Sequence, residues 1–266
     1  MEPTLTLTDE QVAFYRENGY LVLPELMPAD EVARVRAVYD RLFAERAGRE
    51  VGDQFDLAGT DEEGKEAKLP QILGPSKYAP ELLEGRYRAN LEHVAKRLLG
   101  SEGSVGGDHM IFKPARIGAP TPWHQDQAYW DPTLDYEALS VWIPLQEATI
   151  ENGCMWFLPG SHKREILTHH SIGHDTRVHG LEVEEVDVSK AVACPLAPGG
   201  ATVHHCRVLH YTGPNVSDVP RRAYIVGAGR PATPRAVPYD FYWNAMKTTA
   251  RERRAAESRE SSAKSR

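Results

Sequence analysis

Along the first hundred residues apolar side chains recur at helical spacing, whereas beyond Gly107 they fall into short runs cut by proline and glycine. Thr8, followed by Glu10-Gln11 and then Val12, Phe14 and Tyr15, predicts a capped short helix that stops at Asn18-Gly19. Tyr20 to Leu23 reads as a strand ended by Pro24, and Pro28 opens a longer amphipathic helix with Val32, Val35, Val38, Leu42 and Phe43 on one face. Residues 49–80 are polar and glycine-bearing, with only Leu69 to Leu73 suited to a short edge strand. From Pro80 to Gly100 the spacing of Leu82, Leu83, Tyr87, Leu91, Val94, Leu98 and Leu99 predicts another helix, closed by Gly100.

The second half predicts strands at Met110 to Lys113, His124 to Gln127, Leu139 to Gln146, Met155 to Leu158, Glu182 to Val188, Thr202 to His205 and Arg221 to Ala228. Seven or eight short strands at this rhythm suit a sandwich or jelly roll. The expected fold is therefore mainly β with N-terminal helices: one domain over about 1–248, helical to about 100, with a β core over about 105–230. Residues 249–266 are charged, Ser- and Ala-rich and poor in large apolar side chains, so disorder or a frayed helix is expected there.

Composition narrows the class. A chain of 266 residues, 41% hydrophobic and 26% charged, is an ordinary globular protein able to bury a substantial core. The net charge of −7 argues against a nucleic-acid groove. No apolar run approaches the roughly 20 residues needed to cross a bilayer, and Met1 to Leu5 lacks the pattern of a leader, so a cytoplasmic protein without membrane attachment is expected. Cys154, Cys194 and Cys206, odd in number and without a Cys-x-x-Cys spacing, read as reduced thiols.

The candidate chemistry lies in Pro122-Trp123-His124-Gln125-Asp126. If this stretch is extended, His124 and Asp126 point to one side and offer an imidazole nitrogen and a carboxylate oxygen to one point. His210 is the third candidate, and together they would form the two-histidine, one-carboxylate face of non-haem iron(II) oxygenases. A hairpin after Gly213-Pro214 would put Arg221 on a strand beside His210, suited to a bidentate grip on a keto-acid carboxylate. On residues alone, a zinc hydrolase and a jelly-roll binding module without catalysis stay open.

Trp123-His124-Gln125-Asp126, Ser140 to Leu145, the turn Glu151 to His162, and Leu209 to Asn215, in that order, resemble the phytanoyl-CoA dioxygenase family over roughly residues 10–230. The resemblance implies a double-stranded β-helix (a cupin-like jelly roll), iron(II), 2-oxoglutarate and dioxygen as cofactor and cosubstrates, and ascorbate as a candidate reductant. It matches His124, Asp126 and His210 to the metal ligands and Arg221 to the arginine that grips 2-oxoglutarate. Thr212, Trp142 and Gln71 match further cosubstrate contacts. An aspartate at 126 favours hydroxylation of a small organic molecule, with release of succinate and CO2, over halogenation. His162 is expected to shape a turn, His204 and His205 to serve neighbouring groups, and Asn215 and Ser217 to hold a loop. Trp123, Tyr129 and Trp130 suit either a pocket wall or the core. The segment Lys163 to Val188 and the aromatic run Tyr239 to Trp243 are candidates for a lid.

Overall fold

Thr8 caps α1 (Asp9–Asn18) in a reciprocal box with Gln11, and Gly19 closes it in the left-handed region at φ 79°. The computed structural model describes residues 1–264. β1 (Tyr20–Leu23) and α2 (Ala29–Ala44) follow as the pattern predicts. β2 (Gln54–Asp56) pairs with β3 (Pro70–Leu73), so β3 lies inside the sheet rather than at the expected edge. The single helix expected from Pro80 to Gly100 is a 3-10 turn, Pro80–Leu83, and then α3 (Arg86–Leu99), broken at Gly85, whose φ of 122° no helix accommodates.

The remaining strands are β4 (Ser104–Lys113), β5 (Thr121–His124), β6 (Leu134–Asp135), β7 (Ala138–Pro144), β8 (Met155–Phe157), β9 (His170–Ser171), β10 (Leu181–Glu182), β11 (Val192–Cys194), β12 (Ala201–His205), β13 (His210–Thr212), β14 (Arg221–Gly229) and β15 (Thr233–Pro234). The described chain closes with α4 (Tyr242–Ala245) and α5 (Ala250–Lys264). A seven-stranded antiparallel sheet runs β1-β12-β7-β14-β4-β3-β2, and a four-stranded one runs β11-β8-β13-β5. The strand expected from Glu182 to Val188 keeps only its first residue, within β10.

Strand alternation sorts the side chains of the large sheet between two interiors. Leu139, Val141 and Ile143 of β7, Tyr224 and Val226 of β14, and Val203 of β12 pack with α1, α2 and α3 in one core. Their alternates, among them Trp142, Ala223 and Ile225, join Met155 and Phe157 of the small sheet in a second. Ser140, His204 and Arg221 share that second face, and this is how the chain delivers polar groups to the space between the sheets.

The C-terminal segment departs from expectation. Instead of loose chain, α5 packs against residues 49–61: Arg251 Nε donates to the Gly52 carbonyl at 3.0 Å, and Arg254 donates to the Arg49 carbonyl at 3.0 Å and to Asp61. Arg251 also lies over the Phe55 ring at 5.1 Å. Charge-assisted hydrogen bonds thus take the place of the apolar burial this segment lacks. The last two residues of the expected tail lie outside the described residues. Among the described residues, no helix is long and apolar enough to cross a membrane.

Candidate active site

β5 and β13 are antiparallel neighbours, and His124 and His210 pair in register across them with ring centroids 4.1 Å apart. β5 ends at His124 instead of running on to Gln127. Gln125 stays extended at φ −121° and ψ 129°, and Asp126 opens a 3-10 turn. One extended residue is enough to bring the carboxylate back to the imidazole. His124 Nε2 lies 3.6 Å and His210 Nε2 3.3 Å from Asp126 Oδ1, and the three donor atoms fall within 4.8 Å of one another. Two ligands each about 2.1 Å from one ion stand about 3.0–3.4 Å apart, so the cluster has the size of a metal site.

The opposite ends of these side chains are already engaged. His124 Nδ1 donates to the Pro122 carbonyl at 2.7 Å and His210 Nδ1 to the Val208 carbonyl at 3.0 Å, which leaves both Nε2 lone pairs facing inward. Asp126 Oδ2 accepts from the Ser140 hydroxyl at 2.8 Å and lies 3.3 Å from His204 Nε2, so Oδ1 remains for an ion. Burial, with His210 beside it, pushes the His124 imidazole below its ordinary value. Burial alone would raise the Asp126 carboxyl, yet His210, His124 and His204 together hold it well below the usual carboxylate range. The group is an ionised acceptor among nitrogen donors.

Arg221 does not sit on a strand beside His210 as the hairpin reading expects. β13 belongs to the small sheet and β14 to the large one, so the two residues reach the same space from separate sheets. Arg221 is 1% exposed, lies over the Trp142 ring at 5.4 Å, and makes one long bond to the Ile111 carbonyl, 3.4 Å, while its Nε has no partner. Burial lowers its pKa to about 10, which keeps it charged at neutral pH. Arg222 faces the other way and pairs with Asp40 of α2 at 2.5 Å. Thr212 bonds the Thr121 hydroxyl at 3.0 Å, and the Oε1 of buried Gln71 has no partner.

All seven sequence candidates, His124, Asp126, His210, Arg221, Thr212, Trp142 and Gln71, line one cavity of about 600 Å³ between the sheets. Ser140, His204 and Thr121 line it too; Ser140 was legible as the residue two before Trp142 on the same strand face, whereas nothing in the sequence spacing pairs His204 with Asp126. Tyr129 and Trp130 also face the cavity, while Trp123 stacks outside it on Tyr211. His162 is structural: it bonds the Arg16 carbonyl, and a Cβ at Gly19 would lie 2.4 Å from its Nδ1. Asn215 holds its loop by donating to the carbonyls of Lys113, Pro114 and Val219, and Ser217 donates to Asn215.

The cavity roof is only partly the expected one. From residues 163–188 His179 reaches the lining, and Leu167 and His169 bond to Gln125 between the two ligands of the His-x-Asp run. Phe241 and Trp243 pack on Ala128 behind the lining instead of facing the cavity. The side chains that do face it are Asn244, Lys247, Arg251 and Glu252. Composition hid them, because a helix seated through its arginines has no apolar stripe to read.

An open cluster of two histidines and a carboxylate, set between two antiparallel sheets, suits the class of 2-oxoglutarate-dependent dioxygenases, and the comparisons with solved structures place the chain in that class. EvdO2 from Micromonospora carbonacea var. aurantiaca superposes with a TM-score of 0.79 at 44% identity, covering 91% of this chain and 99% of its own. Its complex with 2-oxoglutarate gives a TM-score of 0.78 at 40% identity, with the same coverage. The chain belongs to the phytanoyl-CoA dioxygenase family, whose model matches residues 15–223. A probable alpha-ketoglutarate-dependent hypophosphite dioxygenase from Stutzerimonas stutzeri is 28% identical over 223 residues, 82% of this chain and 77% of that protein.

Proposed function

We propose that the chain hydroxylates a small organic molecule in the cytoplasm with iron(II), 2-oxoglutarate and dioxygen, releasing succinate and CO2, with ascorbate as accompanying reductant. In this reading the two sheets form a double-stranded β-helix, and residues 1–248 with α5 docked on them act as one catalytic domain. His124, Asp126 and His210 hold the iron, and Arg221 holds the far carboxylate of 2-oxoglutarate, beside Thr212, Trp142 and Gln71. When bound, the iron supplies dioxygen activation coupled to oxidative decarboxylation of 2-oxoglutarate.

The observation that carries the reading is the half-engaged donor set: each ligand is bonded at its outer atom and unbonded at the inner one. The chain's own part is to keep both imidazoles as lone-pair donors, to keep Asp126 ionised, and to offer a desolvated guanidinium across the cavity. A hydrolase or a silent binding module leaves the unpaired Nε of a fully buried arginine without a role. Asp126 also fills the ligand position that a halide would need, which favours hydroxylation.

The test is anaerobic loading with iron(II), then addition of 2-oxoglutarate and air, with succinate and bound iron both measured. Slow succinate release without a primary substrate is expected. Asp126→Ala should lower it at least about 100-fold and lose the iron, since even outer partners of metal ligands are worth about 10–100-fold. Retention of stoichiometric iron and of succinate release by that variant would remove Asp126 from the site. A metabolite screen read by succinate burst and a gain of one oxygen then identifies the substrate.

A further inference from the structure

Histidines apart, five charged side chains of the described residues line the cavity, and the reading above uses two of them, Asp126 for the ion and Arg221 for 2-oxoglutarate. The other three, Lys247, Arg251 and Glu252, belong to the roof and leave it one net positive charge. Lys247 Nζ lies over the Tyr129 ring at 4.8 Å and, among the described residues, makes neither a hydrogen bond nor an ion pair. Arg251 donates through Nε to the Gly52 carbonyl, and its two terminal nitrogens make no hydrogen bond among the described residues. Glu252 is turned to its own helix start, where Oε2 accepts from the Thr249 amide at 3.1 Å. His179 stacks on Tyr129 with centroids 5.8 Å apart, and its buried Nδ1 has no partner. Burial pulls the Lys247 ammonium down to about 8. An ammonium held in a cavity wall without a carboxylate costs stability, and a cation kept at that cost marks a group retained for binding.

At one end of the cavity the large sheet is bare. Gly107, on β4, and Gly227, on β14, both line it. Among the described residues, a Cβ at Gly107 would meet nothing within 4 Å, and one at Gly227 only the Gly107 carbonyl, at 3.3 Å. Gly227 pairs with Ser140, the residue that donates to Asp126, and lies six positions along β14 from Arg221, about 20 Å in an extended strand. The open floor therefore adjoins the His-Asp-His cluster at the end away from Arg221. Leu73 pairs with His109, two residues from Gly107, and brings apolar surface to the same end.

We propose that the primary substrate is an organic acid, an apolar body carrying one carboxylate or phosphate, whose acidic group is held by Lys247 and Arg251 while its body lies on the floor left open by Gly107 and Gly227. This rests on the dioxygenase reading, in which 2-oxoglutarate covers Arg221 and leaves the roof cations to the second ligand. A charge-assisted contact in this partly buried setting orients the molecule as well as holding it, and so selects which carbon faces the cluster.

The experiment is calorimetric titration of the full chain, loaded anaerobically with iron(II) and saturating 2-oxoglutarate so that Arg221 is occupied. Benzoate and phenyl phosphate are the acidic probes, and benzamide is the neutral counterpart. The wild type should bind at least one acid about tenfold or more tighter than benzamide, and the tighter acid tells carboxylate from phosphate. Lys247→Met should erase that preference. Arg253→Met removes the same charge from an exposed position of α5 and should leave the preference in place. Gly107→Leu enters open space without a clash and should weaken all three probes. A wild type that binds neither acid, or binds benzamide equally well, overturns the proposal, and so does acid binding that Lys247→Met leaves unchanged or that Arg253→Met lowers as much. Succinate released when air is admitted to the same samples is read separately: its absence counts against the dioxygenase reading, whereas the charge preference counts for or against the roof.

Discussion

On the strands around the cavity, His124, Ser140, Trp142, His204, His210 and Arg221 are each aimed by a chain paired in register, and the alternates of Trp142, His204 and Arg221 sit against the helices. On the roof, Arg251 and Lys247 are placed by a hydrogen bond to a loop carbonyl and by contact with the Tyr129 ring, at 3.0 and 4.8 Å. The first arrangement locks direction by packing on two sides, so moving one side chain means moving a sheet. The second holds position by polar contacts that a single substitution removes. With chemistry proposed for the first and selection of substrate for the second, the two regions are predicted to fail differently.

The largest effect expected from the strands alone is at Arg221. Arg221→Ala should raise the 2-oxoglutarate requirement about ten- to a hundredfold, the equivalent of about 1.5–3 kcal/mol for a charge-assisted contact, with little change for the primary substrate. Arg222→Ala, on the opposite face of the same strand, should change it far less, because its guanidinium pairs with Asp40 of α2 and does not line the cavity. Steady-state kinetics in both substrates check this. A larger effect from Arg222 would mean that β14 presents its other face to the cosubstrate.

For the roof, a chain ending at Ala250 loses the Arg251 and Arg254 bonds and should be less stable by about 2–3 kcal/mol. It should keep uncoupled succinate release while losing tight coupling to substrate. Thermal melts and the ratio of succinate to hydroxylated product measure the two arms, and unchanged values in both would make α5 a bystander. The comparison sharpens further at Ser140. Ser140→Ala frees one bond to Asp126 Oδ2 while His204 remains, so iron should be held about tenfold more weakly, the low end for such a partner. Competition against a chelator reads it.

The smallest effect is a pH dependence located on the roof. Burial pulls the Lys247 ammonium down to about 8. Between that value and the ordinary lysine range the unfolded chain binds a proton that the folded chain does not, so stability from this group rises with pH there. Lys247→Met should therefore be the more stable protein at pH 7, with the gap in Tm narrowing as pH climbs above 8. A gap that stays constant to pH 10 would show that the ammonium is solvated.

The same division explains what the sequence made legible. The His-x-Asp spacing points to His124 and Asp126 and a later histidine segment to His210, while the choice of Arg221 over Arg222 comes from the spacing of the family's ordered motifs. Ser140 follows from the two-residue spacing once Trp142 is placed. By contrast, the sheet membership of β13 and β14 is set by a crossover that local spacing does not encode, and so His210 and Arg221 meet from separate sheets. α5 has no hydrophobic period, and its seat on residues 49–61 is made of arginine bonds to backbone carbonyls, which any sequence offers and no pattern announces.

His124 and His210 each fix their ring through the carbonyl two residues back along their own chain. The aim of each imidazole is thus written in three consecutive residues, whereas Asp126 follows Gln125, which Leu167 and His169 hold from the roof. For anyone redirecting the enzyme, the two imidazoles travel with their own strands: α4–α5 can be exchanged for those of a relative with a different appetite, and the imidazoles will still point where they did.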